Sequence, residues 1–552
     1  MNLESLIMFG LEKIAQKIEI PPAGVAADLA IPCFTEDPRV VAEKIRALNN
    51  PLFQDVVVVG RYVNISFDVV VLASTVINEV TRQKEKYGWN DMGANKTIFL
   101  EYSSPNIAKP MHMGHARNNA IGHSLARLYQ ASGYTVVTAN FIGDWGMSLA
   151  KILLAYQKWG DEAAFTKDPI RHLLNLYVRV TEEIAKSGEL EDEARALFKM
   201  LAAGDAELRA LWEKFCAVSL TDFKRVYAML KIDFDIWNGE SFYERFIPTI
   251  IDEALVKGVA TQAKDGPVVV DCNDPKLPPF LLRKSDGASL YGARDLAVAK
   301  WRLTEYPQVE KIVYVVGHEQ ELYLRQIFRT LGKMGYPEEK FIHVPYGVVT
   351  LEGKKISTRT GNIVFLEEGL REATKRAKGI KEVGIGAIIY NMLSMGREHD
   401  IAFSWGLALS LTGNSAPYIQ YAFVRAKAIL EKAKTADSRF KMQDSGIHPV
   451  AGDSFFLNLE SCIVNPSSHE ARLLKLIAFY SEAVRQAHAL NAPHIVATFL
   501  NNFAQEFNRF YDAVPVLAEG ESRALRLTLV GASAQVIKNG LWLLGIDVPE
   551  RM

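Results

Sequence analysis

The sequence predicts an α/β core preceded by a small α+β unit and followed by an all-helical one. Three observations carry this. An apolar strand, Thr97–Tyr102 ("TIFLEY"), runs into a loop bearing glycine and histidine and then into a helix, the handover expected in a parallel sheet. Strand-like runs return at "GPVVVDC" and "KIVYVVG" after a long helical interval. Beyond residue 380 the apolar spacing is helical almost throughout.

At 552 residues the chain has room for several cores, and its 49% hydrophobic and 23% charged content is that of an ordinary globular protein. Lys and Arg number 63 against 64 Asp and Glu, a net charge of -1, so any nucleic-acid partner has to be held by local patches and stacking. Cys33, Cys216, Cys272 and Cys462 lie far apart with no C-x-x-C pair. That pattern fits neither a zinc module nor a disulfide framework and suits a reducing compartment. No apolar run approaches the roughly 18 residues that span a bilayer. The opening "MNLESLIMFGLEKIAQKI" is spaced as an amphipathic helix, not as a signal peptide. A cytoplasmic protein without a membrane role is expected.

In order along the chain, residues 1–90 hold that helix and "DVVVVGRYVNISF", a hairpin broken at Gly60. The polar "KEKYGWNDMGANK" leads to the Thr97 strand. In the helix after the loop, Ile121, Leu125 and Leu128 fall at helical spacing and Gly133 is a stop signal. "GYTVVTANFIGDWG" gives a second strand ending in a Gly143–Gly146 turn. Residues 150–235, rich in Leu, Ala, Glu, Lys and Arg, read as a helical insertion. "KIVYVVG" leads through Gly317 and His318 to another helix. From "GAIIYNMLSM" onward five helical segments follow, read as a separate bundle.

The loop "SSPNIAKPMHMGH" places His112, Gly114 and His115 at a helix N-terminus, where free N–H groups and the helix dipole favour phosphate. Gly114 removes a side chain where a base could approach, and Lys109 adds a positive charge. Two histidines three apart could be a metal pair, but the absence of a carboxylate at zincin spacing and the scattered cysteines give zinc little support. In isolation a hydrogen-bonded helix start is as good a reading as a functional one. "LEGKKISTRTGN" (Leu351–Asn362) is either a solvated turn or a phosphate clamp closing through Lys355. Tyr291 and Asp295, in "LRKSDGASLYGARDLA", share one helical face, either a capped surface helix or a pocket for a cation.

Together "SSPNIAKPMHMGH", "GDWG", the Tyr291–Asp295 Y-x-x-R-D, "GKKISTRTGN", "GNSAPYIQYAFVRA" and the terminal "GIDVPERM" resemble the arginyl-tRNA synthetases of class I, in order over almost the whole chain. The resemblance implies an N-terminal domain (1–90) touching the tRNA corner, a Rossmann-type catalytic domain (96–375) with helical insertions, and an anticodon-binding helical bundle (380–552). It puts His112, Gly114, His115, Lys355 and Ser357 at ATP. Ser104, Asn106 and His115 fall at the amino and carboxylate end of arginine, with Tyr291, Asp295 and Gln320 in the side-chain pocket. Glu101 and Glu240 are further candidate carboxylates. A guanidinium has five donors and no acceptor, so a pocket for it calls for acceptors in its plane. Tyr418, Tyr421 and Tyr511 are candidates for stacking on anticodon bases, or else ordinary packing aromatics.

Two departures stand out. The family's K-M-S-K-S signature appears as "KISTR", with Thr358 at its second lysine, and Thr360 stands where a lysine is common. Lys109 is the expected substitute for the missing cation. The implied reaction joins L-arginine to tRNA(Arg) through an arginyl-adenylate. Mg²⁺ enters with ATP and not at a dedicated protein site, and His112, His115, Lys109, Lys355 and Mg²⁺ neutralise charge at phosphorus. A monomer that needs tRNA for activation is implied. The rivals are a class I nucleotidyltransferase, against which the long helical C-terminal region weighs, and a catalytically silent RNA-binding paralogue, against which intact His112, His115, Tyr291 and Asp295 weigh.

Overall fold

In the computed structural model the described residues are 27–262, 264, 266–351, 354–355, 364–436 and 466–552, with 11–14, 18–19, 21 and 25 near the start. Contacts gather the chain into two units. One is Asp91–Leu409 with Asn491–Pro493; the other is Met1–Asn90 with Ser410–Leu490 and His494–Met552.

In the second unit, β1 (Leu29–Pro32), β2 (Phe53–Val59) and β3 (Tyr62–Phe67) form an antiparallel sheet in the order β1-β3-β2. The β2–β3 hairpin turns at Gly60, whose φ of 60° costs glycine nothing. Helix α1 (Pro38–Arg46) starts on Asp37, and α2 (Val69–Gln83) on Asp68, which accepts from the Val70 and Val71 amides. The buried stripe Leu72, Val76, Ile77 and Val80 of α2 faces two C-terminal helices of the same unit. Of the expected N-terminal helix, Leu11–Ile14 is helical and residues 1–10 lie outside the described residues.

The first unit is built on β4 (Thr97–Glu101) and β5 (Thr135–Ala139), with α3 (Met113–Ala131) crossing between them. With β9 (Val309–Gly317) and β10 (Phe341–Tyr346) they form a four-stranded parallel sheet in the order β10-β9-β4-β5. Every residue of β4 is buried, as expected of a strand covered on both faces. From β4 the chain steps to β5 on one side and later returns to β9 and β10 on the other. The strand order therefore reverses between β4 and β9, and the crevice beyond their carboxyl ends is where such sheets bind ligands.

Between β5 and β9 the chain inserts α4 (Met147–Trp159), α5 (Pro169–Lys186), α6 (Glu189–Ala203) and α7 (Ala206–Leu230). Then come α8 (Ile247–Val256) and a separate antiparallel sheet of β6 (Ala260–Gln262), β7 (Val268–Val270) and β8 (Phe280–Arg283), where "GPVVVDC" falls. Helix α9 (Tyr291–Glu305) leads to β9, and α10 (Glu321–Lys333) follows it. After β10 come β11 (Val349–Leu351), β12 (Lys354–Lys355), α11 (Leu366–Arg376), α12 (Lys381–Leu393) and β13 (Ile401–Phe403). Strand β13 pairs in parallel with β11 (Val349↔Ile401), and α12 packs on α3 and α11, so this unit runs past residue 375 to Leu409.

The helical part of the other unit is α13 (Ala416–Ala436), α14 (Ser468–Ala489), α15 (His494–Ala513) and α16 (Arg523–Leu543). Helix α14 opens on a Ser467/Glu470 capping box. Among the described residues no helix is long and apolar enough to cross a membrane.

Candidate active site

The loop between β4 and α3 is held in a conformation its residues do not favour. Ser103, Ser104 and Ala108 have φ of 76°, 52° and 58°, left-handed values that crowd a Cβ. Compensating hydrogen bonds come from the insertion and from Asn140, just past β5. The Ser103 hydroxyl lies 2.6 Å from the Tyr227 hydroxyl, which also accepts from Asn140 Nδ2 at 2.9 Å. The Ser104 amide donates to Asn140 Oδ1 (3.1 Å), and the Ala108 amide to Ser219 Oγ (2.8 Å). Tyr227 and Ser219 both belong to α7 and are fully buried.

On the loop's other side Gly143 of "GDWG" exchanges backbone bonds with it: Gly143 N donates to Pro105 O (3.0 Å) and Ile107 N to Gly143 O (3.1 Å). A Cβ on Gly143 would stand 2.0 Å from Asn106 Oδ1, so a close approach demands this glycine. Two segments distant in sequence thus form one structure. It leaves Asn106 exposed and Ser104 partly so.

His112 caps α3. Its Nδ1 accepts from the Gly114 amide (3.1 Å), while its own amide donates to His115 Nδ1 (3.0 Å); the two rings lie 4.1 Å apart. A neutral imidazole that accepts at Nδ1 carries its proton at Nε2, so both rings offer an Nε2–H donor. Burial pushes the His112 pKa down to about 4. Burial, and then the neighbouring His112, push His115 down to about 3. Burial therefore favours the neutral form of both rings, and with Nδ1 engaged each has its Nε2 free beside the N-terminus of α3. The space left by Gly114 is taken by the His112 ring, whose Cε1 would lie 2.8 Å from a Cβ there.

Strand β12 carries Lys355 back along β11 (Thr350↔Lys355). The Lys355 side chain and residues Ser357, Thr358 and Thr360 lie outside the described residues. The chain re-enters against the signature loop: the Met113 amide donates to Val364 O (3.1 Å), the Leu366 amide to Met111 O (2.8 Å), and His112 bridges Phe365. Fully buried Arg117, on α3, donates to the Gly347 (2.9 Å) and Arg397 (3.0 Å) carbonyls, tying the histidine helix to the chain entering β11. The Lys109 ammonium lies 3.7 Å from the centroid of the Tyr177 ring on α5.

At the carboxyl ends of β4 and β9 the chain gathers acidic groups. Asp295 accepts a hydrogen bond from the Tyr323 hydroxyl, and the Tyr291 ring meets that of Tyr323 edge-on at 5.2 Å. Burial raises the Asp295 pKa to about 6, with the Glu101 charge adding to it and the Tyr323 bond, Arg294 and Arg302 opposing. Glu101 is paired with the buried Arg302. Glu240 and Glu244 both meet Arg294, at 3.0 and 2.7 Å, and burial lifts Glu240 to about 7. Gln320 is exposed, in the single turn between β9 and α10. Tyr323, Arg302 and Tyr227 escaped the sequence reading; Tyr323 was within reach, one helical turn beyond Gln320.

In the helical unit, the Tyr418 hydroxyl accepts from Asn508 Nδ2 (3.0 Å), and Asn508 Oδ1 accepts from Arg425 (2.8 Å). The Arg425 guanidinium lies 4.9 Å from the rings of both Tyr421 and Tyr511, which are exposed. Among the described residues no group of three or more His, Cys, Asp and Glu could hold a metal ion.

The paired histidines at the N-terminus of α3, at the switch point of a parallel sheet and beside the β11–β12 hairpin, lie in a catalytic domain of the class I tRNA synthetases. Residues 76–405 match the family of tRNA synthetases class I (R), catalytic domain, and residues 419–552 match the DALR anticodon binding domain. The chain is 38% identical to the arginine–tRNA ligase of Clostridium perfringens, over 98% of this chain and 97% of that protein. It is 39% identical to that of Clostridioides difficile, over 98% and 96%. Its fold is similar to Thermus thermophilus arginyl-tRNA synthetase, with a TM-score of 0.80 at 25% identity, covering 100% of this chain and 99% of that one. The chain belongs to the arginyl-tRNA synthetase family.

Proposed function

We propose that the chain ligates L-arginine to tRNA(Arg) in two steps, with the residues above in definite roles. In the first, an arginine carboxylate oxygen attacks the α-phosphorus of ATP; the new O–P bond forms as the bond to the bridging oxygen breaks, and pyrophosphate leaves. In the second, a ribose hydroxyl at the 3′ end of tRNA attacks the adenylate carbonyl and AMP leaves. No covalent enzyme intermediate is needed, so catalysis rests on positioning and charge.

The observation that supports this reading is the engagement of Nδ1 of both histidines by backbone amides, which leaves Nε2–H of each free to donate to a phosphate oxygen. Gly114 and Ser357 belong to the same nucleotide site, and Lys109 and Lys355 supply its positive charge. Mg²⁺ on the nucleotide adds charge neutralisation when bound. The carboxylates Glu101, Glu240 and Glu244 are already engaged by arginines, which fits a metal carried by the phosphates. Ser104, Asn106 and His115 take the amino and carboxylate end of arginine. Asp295, with Tyr291 and Gln320, takes the guanidinium, and Glu101 and Glu240 shape the field around it.

The N-terminal domain would meet the tRNA corner and the helical bundle the anticodon. We infer a cytoplasmic monomer whose arginine activation needs bound tRNA; light scattering tests the first, and omission of tRNA the second. The direct test is ATP–pyrophosphate exchange across the amino acids. Exchange with arginine alone, dependent on tRNA, is expected. Exchange with another amino acid, or with none, would overturn the reading in favour of a different class I enzyme or a silent RNA-binding protein.

A further inference from the structure

We propose that Tyr323 is a specificity-determining positioning residue, holding Asp295 ionised and oriented while leaving its charge unspent for the guanidinium of the substrate. The inference rests on the reading of Asp295 as the arginine carboxylate.

The local pattern of pairing motivates it. Glu101 is matched by Arg302, and Glu240 and Glu244 by Arg294 at 3.0 and 2.7 Å. Each of these carboxylates already faces a guanidinium supplied by the protein. Among the described residues Asp295 forms no ion pair; its hydrogen bond comes from a phenol. The difference matters chemically. An arginine or lysine on Asp295 would cancel the charge a cationic substrate needs, whereas a neutral O–H donor favours the carboxylate form and cancels nothing. The bond also fixes one oxygen, Oδ2, which sets the plane in which the other can meet a planar fork of N–H donors.

Tyr323 is itself placed from two sides. It lies in the first turn of α10, just past the carboxyl end of β9, and its ring rests edge-on against Tyr291 at 5.2 Å. The groups facing Asp295 are Tyr323 from α10, Arg294 and Arg302 from its own helix α9, Glu101 from β4, Tyr314 from β9 and Glu240. With the acid near pKa 6, the phenol bond works against burial and the Glu101 charge. Its removal raises the pKa further, and protonated Asp295 offers a guanidinium no charge.

The test is Tyr323→Phe in the full chain, which keeps the ring and removes the hydroxyl. The arginine KM is measured from pH 5 to 8.5 by tRNA-dependent pyrophosphate exchange, with arginine binding followed by calorimetry at both ends. The acid rise of arginine KM should move up by about one pH unit. The variant should therefore be about fivefold weaker than wild type at pH 6, approach tenfold at pH 5 and be close to wild type at pH 8.5, with the ATP KM unchanged. An unmoved acid limb overturns the proposal, and so does an equal loss at every pH, which would be a packing defect. Asp295→Asn separates the proposal from its premise. If that variant keeps a wild-type arginine KM, the pocket reading falls and the proposal with it. If Asp295→Asn weakens arginine and Tyr323→Phe leaves the limb in place, only the role of Tyr323 falls.

Discussion

In the proposed reaction Lys109 and the paired histidines divide the phosphate chemistry between a charge and two neutral donors. The histidine pKa values near 4 and 3 lie below the ordinary imidazole value of about 6.5. The unfolded chain therefore binds more protons than the folded one between those limits, and stability falls as pH drops below that ordinary value. A melting-temperature series from pH 7 to 5 should show this decline, shallower in His115→Gln, while the histidines stay neutral in the folded enzyme throughout. Lys109 presents a choice, because its ammonium rests over the Tyr177 ring. If it serves the triphosphate in place of the lysine absent at Thr358, Lys109→Ala should lower kcat of pyrophosphate exchange by about 10² to 10³. Adding Thr358→Lys should recover part of the loss. If it serves only to anchor α5, Lys109→Ala and Tyr177→Leu will lower the melting temperature alike and leave kcat intact.

Helix α7, with Asn140 just past β5, explains how the strained loop between β4 and α3 is held. Three left-handed residues with side chains persist between β4 and α3 because Tyr227, Ser219 and Asn140 over-determine them. Tyr227 is itself wedged among Phe234 and Trp237, with ring centroids 5.2 and 5.7 Å away. Tyr227→Phe keeps that packing but strands the Ser103 hydroxyl and the Asn140 amide. It should cost about 1–2 kcal/mol in a denaturant titration and raise the arginine KM about tenfold, with ATP KM little changed. Equal changes in both KM values would instead place the loop's support elsewhere. This dependence also marks the limit of what the sequence could reveal. The strand, the histidine loop and the helical character of 150–235 are legible because periodicity and cap signals are local. The partners of the loop are not, since Ser103 and Tyr227 stand 124 residues apart, and Glu101 and Arg302 201 apart. The spacing of "GAIIYNMLSM" marks a helix and groups it with the separate bundle, whereas in the structure it packs on α3 and lies in the unit that runs to Leu409.

The molecule as a whole has to charge one RNA with one amino acid, and its near-zero net charge gives no general attraction for RNA. Discrimination then falls to built local surfaces, and the helical unit offers one. Arg425 is fixed by Asn508, which in turn holds Tyr418, and the guanidinium lies 4.9 Å from each of two exposed tyrosine rings. A ring whose orientation is set before binding loses less freedom when a base stacks on it, and the adjacent cation serves phosphate as well as π-face. Stacking is worth about 1–3 kcal/mol per base, so Tyr421→Ala should raise the KM for tRNA(Arg) by about 5- to 150-fold. The KM values for ATP and arginine, read by exchange at saturating tRNA, should stay near wild type. Arg425→Met should reproduce much of the effect with Tyr421 intact, because it removes the support of both rings; its loss should shrink as salt rises, unlike that of Tyr421→Ala. If Tyr421→Ala instead lowers the melting temperature and damages all three substrates alike, the tyrosine is a packing residue of the bundle and the anticodon is read from another face.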